Sequence, residues 1–106
     1  MSSEAWTTAA VAVGANLDRR RATIESALGA LAAAAGIRAM QRSGLYETAP
    51  VGPPGQRPYL NGAAIFETTR SPAALLDLLL QIERLHGRIR DPAIRNGPRS
   101  IDLDLL

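Results

Sequence analysis

Residues Tyr59 to Leu85 read YLNGAAIFETTRSPAALLDLLLQIERL. The first part, Tyr59 to Thr68, is rich in residues that suit a pleated, half-buried surface and is expected to form a strand. Ser71-Pro72 then marks a helix start, a hydroxyl cap followed by proline at the first helical position, where an N–H is not needed. Leu75, Leu78, Leu79, Ile82 and Leu85 recur at helical spacing as one apolar stripe, and Gly87 stops it.

Working outward from this strand–helix unit, the same pair occurs earlier in the chain. Ala9 to Val13 is a short apolar run ended by Gly14, read as a buried strand preceded by a tail over residues 1–8. Asp18 is placed to cap a helix in which Ile24, Ala27, Leu28, Leu31 and Ala35 share a face until Gly36. Ile37 to Thr48 is expected to be a strand. Ala49 to Pro58 holds Pro50, Pro53, Pro54 and Pro58 and is a loop, because proline removes ladder donors.

Downstream, Arg88 to Arg99 is an arginine-rich loop, and Ile101 to Leu106 alternates as a strand. The order is βαββαβ. It predicts an α+β fold, a ferredoxin-like two-layer sandwich with an antiparallel sheet and two helices on one face, formed by residues 9–106. The last strand is expected to be cut short, since Leu105-Leu106 carries no turn residue.

Composition narrows the chemistry. The 106-residue chain has no cysteine, a single histidine (His86), and twelve basic residues that are all arginine. A disulfide framework, a thiolate nucleophile, a multi-histidine metal site and a Walker-type lysine are therefore excluded. A net charge of +2 gives no case for wholesale nucleic-acid binding, and with 4% aromatic residues the strands lack base-stacking platforms. No apolar run approaches the ~20 residues that span a membrane, and the N-terminus lacks a secretory pattern, so a cytoplasmic location and a monomer are expected.

The most informative chemical segment is Arg99-Ser100-Ile101-Asp102-Leu103-Asp104-Leu105. In a strand, Asp102 and Asp104 project from one face about 6.7 Å apart along the backbone, with Ile101, Leu103 and Leu105 turned to the core. Paired carboxylates suit a hard cation such as magnesium, which also keeps several waters. They also suit a solvated strand face that protects an edge. Arg88, Arg90, Arg95 and Arg99 in the preceding loop add planar forks that grip phosphate oxygens. Together, carboxylates and guanidiniums match a magnesium–polyphosphate ligand. Tyr59 offers a ring face to a flat heterocycle, and Asn61 a donor and acceptor to its edge.

These segments resemble the 6-hydroxymethyl-7,8-dihydropterin pyrophosphokinase family of the folate pathway. The matching stretches are Val13-Gly14-Ala15-Asn16-Leu17, Leu45-Tyr46-Glu47-Thr48, Gln56-Arg57-Pro58-Tyr59-Leu60-Asn61, Ile82-Glu83, Gly87-Arg88-Ile89-Arg90, and Gly97-Pro98-Arg99 through Asp102-Leu103-Asp104. The resemblance implies transfer of the diphosphoryl unit of ATP to the hydroxymethyl oxygen of a reduced pterin, with release of AMP. By the same resemblance, Asp102 and Asp104 match the ligands of two magnesium ions, and Arg99 joins them as a catalytic residue. Glu83, Arg88, Arg90 and Arg99 match ATP-binding positions, and Thr48, Val51, Tyr59 and Asn61 match the pterin pocket. The hydroxyl proton would pass to Asp104 or to a water beside it.

Three departures accompany the match. Asn96 stands where family members often carry tryptophan, and Ala49-Pro50 replaces a common Pro-Pro pair. The family also continues past this point with further basic residues, a histidine and an aromatic, so a chain ending at Leu106 is expected to be feeble or inactive by itself. The competing reading is a non-catalytic ferredoxin-like module that binds a ligand or a partner chain. Among the remaining features, His86 is read as a helix-terminal residue bonded to the last carbonyls, and Arg19-Arg20-Arg21 as a solvated face. Trp6 either packs on the domain or stays in the tail.

Overall fold

The computed structural model describes residues 5–15, 20–48, 58–86 and 101–106. Strand β1 (Thr7–Ala15) leads to helix α1 (Arg20–Ala33), and strands β2 (Ile37–Arg42), β3 (Tyr46–Thr48) and β4 (Tyr59–Thr68) follow. Helix α2 (Pro72–Leu85) and strand β5 (Asp102–Leu105) complete the order. All strand pairs are antiparallel, in the lateral order β2-β4-β1-β5, with β3 beside the start of β4. Taking β2 and β3 as one interrupted strand, this is the ferredoxin-like arrangement that the element order predicts.

Both helices lie on one face. The β1 residues Val11, Val13 and Ala15, the β4 residues Leu60, Ala64 and Phe66, and Ile101 and Leu103 all turn inward. They meet Ile24, Ala27, Leu28 and Leu31 of α1 and Leu75, Leu79 and Ile82 of α2. Helix α1 spans β1, β2 and β4, while α2 runs beside it against β5. Because the strand period is two, the alternate residues face the other way. Ala10, Ala12 and Gly14 of β1, Tyr59, Asn61 and Ala63 of β4, and Asp102 and Asp104 of β5 thus share the face that carries no helix among the described residues.

Several sequence expectations shift at the ends of elements. Strand β1 begins at Thr7, so the tail is shorter than 1–8, and Trp6 packs with the Arg38 guanidinium 3.9 Å from its ring centroid. The strand also runs past Gly14, because β4 and β5 pair with it on both sides and hold the glycine in register. Helix α1 closes at Ala33, leaving Ala35 exposed; the Ala35 carbonyl instead accepts the Arg70 Nε–H at 2.9 Å. Gly36, at φ +76, turns the chain into β2. Leu85 is exposed rather than part of the apolar stripe. Its place on the inward face is taken by Glu83, four residues after Leu79 and eight after Leu75. Asp18 and Gly87 lie outside the described residues.

The expected strand from Ile37 to Thr48 is two pieces. A bulge between Arg38 and Gln41, with Ala39 at φ 56, shifts its register on β4. At the break, the Ser43 N–H donates to the Ala63 carbonyl and the Ala63 N–H donates to Ser43 Oγ, both at 2.8 Å. A serine side chain stands in for the missing carbonyl of the ladder, and Leu45 then folds over Gly62 before β3 resumes pairing. The α2 start is as read: Ser71 Oγ accepts the Ala74 N–H at 3.1 Å with Pro72 opening the helix. At its other end, His86 Nδ1 lies 2.7 Å from the Ile82 carbonyl, the helix-terminal bond expected. Its Nε2 lies 2.8 Å from Ser26 Oγ and ties α2 to α1.

Candidate active site

The site is built from one lateral row of the open face. Gly14 lies in the middle of the row, paired with Asn61 of β4 on one side and Asp102 of β5 on the other. Tyr46 of β3 is the partner of Asn61 on the far side. Two strand spacings separate Asn61 from Asp102, about 10 Å, a span that a bicyclic ring with a short side arm can bridge. Asp104 is the next residue of this face on β5, opposite Ala12. The positions inboard of both aspartates are glycine and alanine, so no bulky neighbour on β1 covers the carboxylates.

Glycine at position 14 has a geometric reason. A Cβ there would lie 3.2 Å from Asn61 Oδ1 and 3.7 Å from the Tyr59 ring. The aromatic and the amide of the expected pterin pocket therefore converge over the one position where β1 has no side chain. Asn61 is further held by its Nδ2–H, which donates to Thr48 Oγ1 at 2.7 Å, and more loosely to the Tyr59 carbonyl at 3.4 Å. Thr48, Tyr59 and Asn61, expected from sequence to share one pocket, are thus a contiguous group on β3 and β4.

The carboxylate pair takes the geometry its alternation predicts. Ile101 and Leu103 are buried under the helices, Asp102 is half-buried and Asp104 exposed. Among the described residues no cluster of three or more His, Cys, Asp or Glu side chains forms a ready-made metal cage. Two carboxylates on a strand face that carries no helix among the described residues fit magnesium better than a cation that demands an all-protein shell. Magnesium dehydrates reluctantly and usually takes one or two carboxylates plus substrate phosphate oxygens.

Glu83 does not join this face. It is 2% exposed on α2, and Oε2 accepts the Leu103 N–H of β5 at 2.8 Å. The resemblance put it on the nucleotide side of the site; the structure puts it beneath the strand that carries the aspartates. Val51, Arg88, Arg90, Arg95, Asn96 and Arg99 lie outside the described residues, as does Asn16. Two positions of the row, Gly14 and Tyr46, had no role assigned from sequence. A glycine within a run that continues as strand was the available signal for the first. For Tyr46, 58% exposed beside Asn61, the alternation of a three-residue strand was too short to read.

A ferredoxin-like sheet that carries an aspartate pair on the same face as a tyrosine and an asparagine defines an α+β sandwich with a candidate small-molecule site. The comparisons with known proteins identify the family. Residues 10–106 match the family described as 7,8-dihydro-6-hydroxymethylpterin-pyrophosphokinase, and the chain belongs to it. It is 43% identical over 96 residues to 2-amino-4-hydroxy-6-hydroxymethyldihydropteridine pyrophosphokinase of Pseudomonas aeruginosa, covering 91% of this chain and 58% of that one. Proteins of the same name from Methylorubrum extorquens (40% over 100 residues; 94% and 62% covered) and Bacillus subtilis (39% over 96 residues; 91% and 56% covered) are also similar. The chain spans about three fifths of the length of these relatives.

Proposed function

We propose that this site serves the transfer of the β,γ-diphosphoryl group of ATP to the hydroxymethyl oxygen of 6-hydroxymethyl-7,8-dihydropterin, giving AMP and the pterin diphosphate in folate biosynthesis. The observation that carries the reading is the row Asn61–Gly14–Asp102, which puts Tyr59 and Asn61 on the same face as Asp102 and Asp104, the face without a helix among the described residues. The names of the relatives, pyrophosphokinases acting on this class of pterin, support it.

Asn61, braced by Thr48, offers an amide edge to the pterin ring, and the Tyr59 face packs against it. Val51 completes the pocket. Orientation is most of what this chemistry requires of the protein, since displacement at phosphorus needs alignment and charge neutralisation more than covalent help. Asp102 and Asp104 would hold the magnesium ions, two by the family's pattern. Bound there, magnesium neutralises phosphate charge and favours attack by the hydroxyl oxygen. Arg88, Arg90 and Arg99 grip the ATP phosphates, with Arg99 as a catalytic residue. The hydroxyl proton passes to Asp104, the more exposed carboxylate, or to a water beside it. The protein acts as a cytoplasmic monomer with these two substrates as its partners, and without nucleic acid or membrane; no described helix is long and apolar enough to cross a bilayer.

Assay of a protein of the relatives' full length tests this reading. ATP and the hydroxymethyl pterin should give AMP and pterin diphosphate in equal amounts, and Asp102→Ala or Asp104→Ala should abolish the reaction. ADP as the nucleotide product, or turnover retained by either variant, would contradict it.

A further inference from the structure

Strand β5 is an edge strand among the described residues, with β1 on one side only. The Leu106 N–H donates to the Ala10 carbonyl at 2.9 Å, so by antiparallel alternation the amides of Asp104 and Asp102 also point to β1. The Leu103 amide points the opposite way, toward the outer edge. That amide belongs to the Asp102–Leu103 peptide, one of the two between the aspartates, and its N–H is the one Glu83 accepts. The carboxylate reaches it from a buried position on α2, on the stripe otherwise formed by Leu75, Leu79 and Ile82.

A leucine at position 83 would continue that stripe and bury apolar surface. A carboxylate there carries a desolvation cost that only bonded partners offset. What it supplies in return is a second anchor for an edge strand that would otherwise fray, fixed at the peptide that sets the directions of Asp102 and Asp104. We propose that Glu83 is a positioning residue of the cation site, acting through the Leu103 N–H rather than by touching nucleotide. The proposal rests on the metal-binding reading of Asp102 and Asp104 given above. Its chemistry is a charge-assisted hydrogen bond, which glutamine can replace in weaker form and leucine cannot.

The test compares Glu83→Gln and Glu83→Leu in two measurements: amide hydrogen exchange at Leu103, and calorimetry of a non-hydrolysable ATP analogue across a magnesium series. In Glu83→Leu, Leu103 exchange should quicken about tenfold and the half-saturating magnesium concentration should rise about tenfold, while nucleotide affinity at saturating magnesium stays unchanged. Glu83→Gln should fall between this variant and the parent in both. A folded Glu83→Leu protein with the parent magnesium requirement overturns the proposal. So does a loss of nucleotide affinity that saturating magnesium does not restore, which would mean direct contact with nucleotide. Should Glu83→Leu not fold, Glu83→Gln decides: faster Leu103 exchange with an unshifted magnesium requirement overturns the proposal, and a rise in both, about two- to threefold, supports it. Asp102→Asn separates the two layers of inference. If it leaves magnesium dependence intact, the metal-site reading has failed, and the positioning role fails with it.

Discussion

At the scale of single residues, much of this site depends on side chains that are small. Gly14 lets the Tyr59 ring and the Asn61 oxygen approach β1, with Oδ1 only 3.2 Å from where a Cβ would be. Alanine at this position requires the Asn61 amide to shift by a few tenths of an ångström, and a strand tolerates alanine well. Gly14→Ala is therefore expected to weaken binding of the hydroxymethyl pterin by about tenfold, read by calorimetry, while the melting temperature changes little. Undiminished pterin affinity would show that the pocket lies elsewhere. The sequence made Asp102 and Asp104 legible because alternation in a strand is a strict geometric rule. Tyr59 and Asn61 were singled out for a ring face and an amide edge, whereas Thr48 entered only through the family resemblance, since nothing local places β3 beside β4. Glu83 was legible as a position and not as a role. The stripe Leu75–Leu79–Ile82 already points to a buried neighbour, but its partner is an amide twenty residues further on.

At the scale of elements, start signals were read more accurately than ends. Ser71-Pro72 carries its own chemistry, and the Ser71 Oγ bond to the Ala74 N–H is the expected cap. Ser71→Ala should lower unfolding stability by about 1 kcal/mol, measured by urea denaturation, with no change in ligand binding. A loss within error of zero would mean that the cap is replaced by solvent. Helix ends depend on tertiary packing, so the stripe predicted to reach Leu85 gives out a turn earlier at the surface. The split of β2 from β3 shows the same limit. Ser43-Gly44 is a local turn signal, yet the register shift at Ala39 follows from pairing with β4, a partner outside any short window. The bulge also breaks the regular edge of β2, which guards that strand against pairing with another chain.

For the whole molecule, the βαββαβ order was enough to give the sandwich, because right-handed crossovers and antiparallel pairing leave few other arrangements. With both helices on one face, the other face is free to present chemistry, and strand alternation brings residues from β1, β3, β4 and β5 together there. That convergence joins segments as distant as Gly14, Asn61 and Asp102, and it puts Tyr59 and Asn61 on one face with the two aspartates. The central claim is that Asp102 and Asp104 hold divalent cations against a polyphosphate. Calorimetric titration with a non-hydrolysable ATP analogue, with and without magnesium, tests it most directly. The account predicts binding that requires magnesium in the parent chain and disappears when Asp102 and Asp104 are both replaced by asparagine. Equal affinity with and without the metal, or magnesium-dependent binding that survives the double substitution, would contradict it.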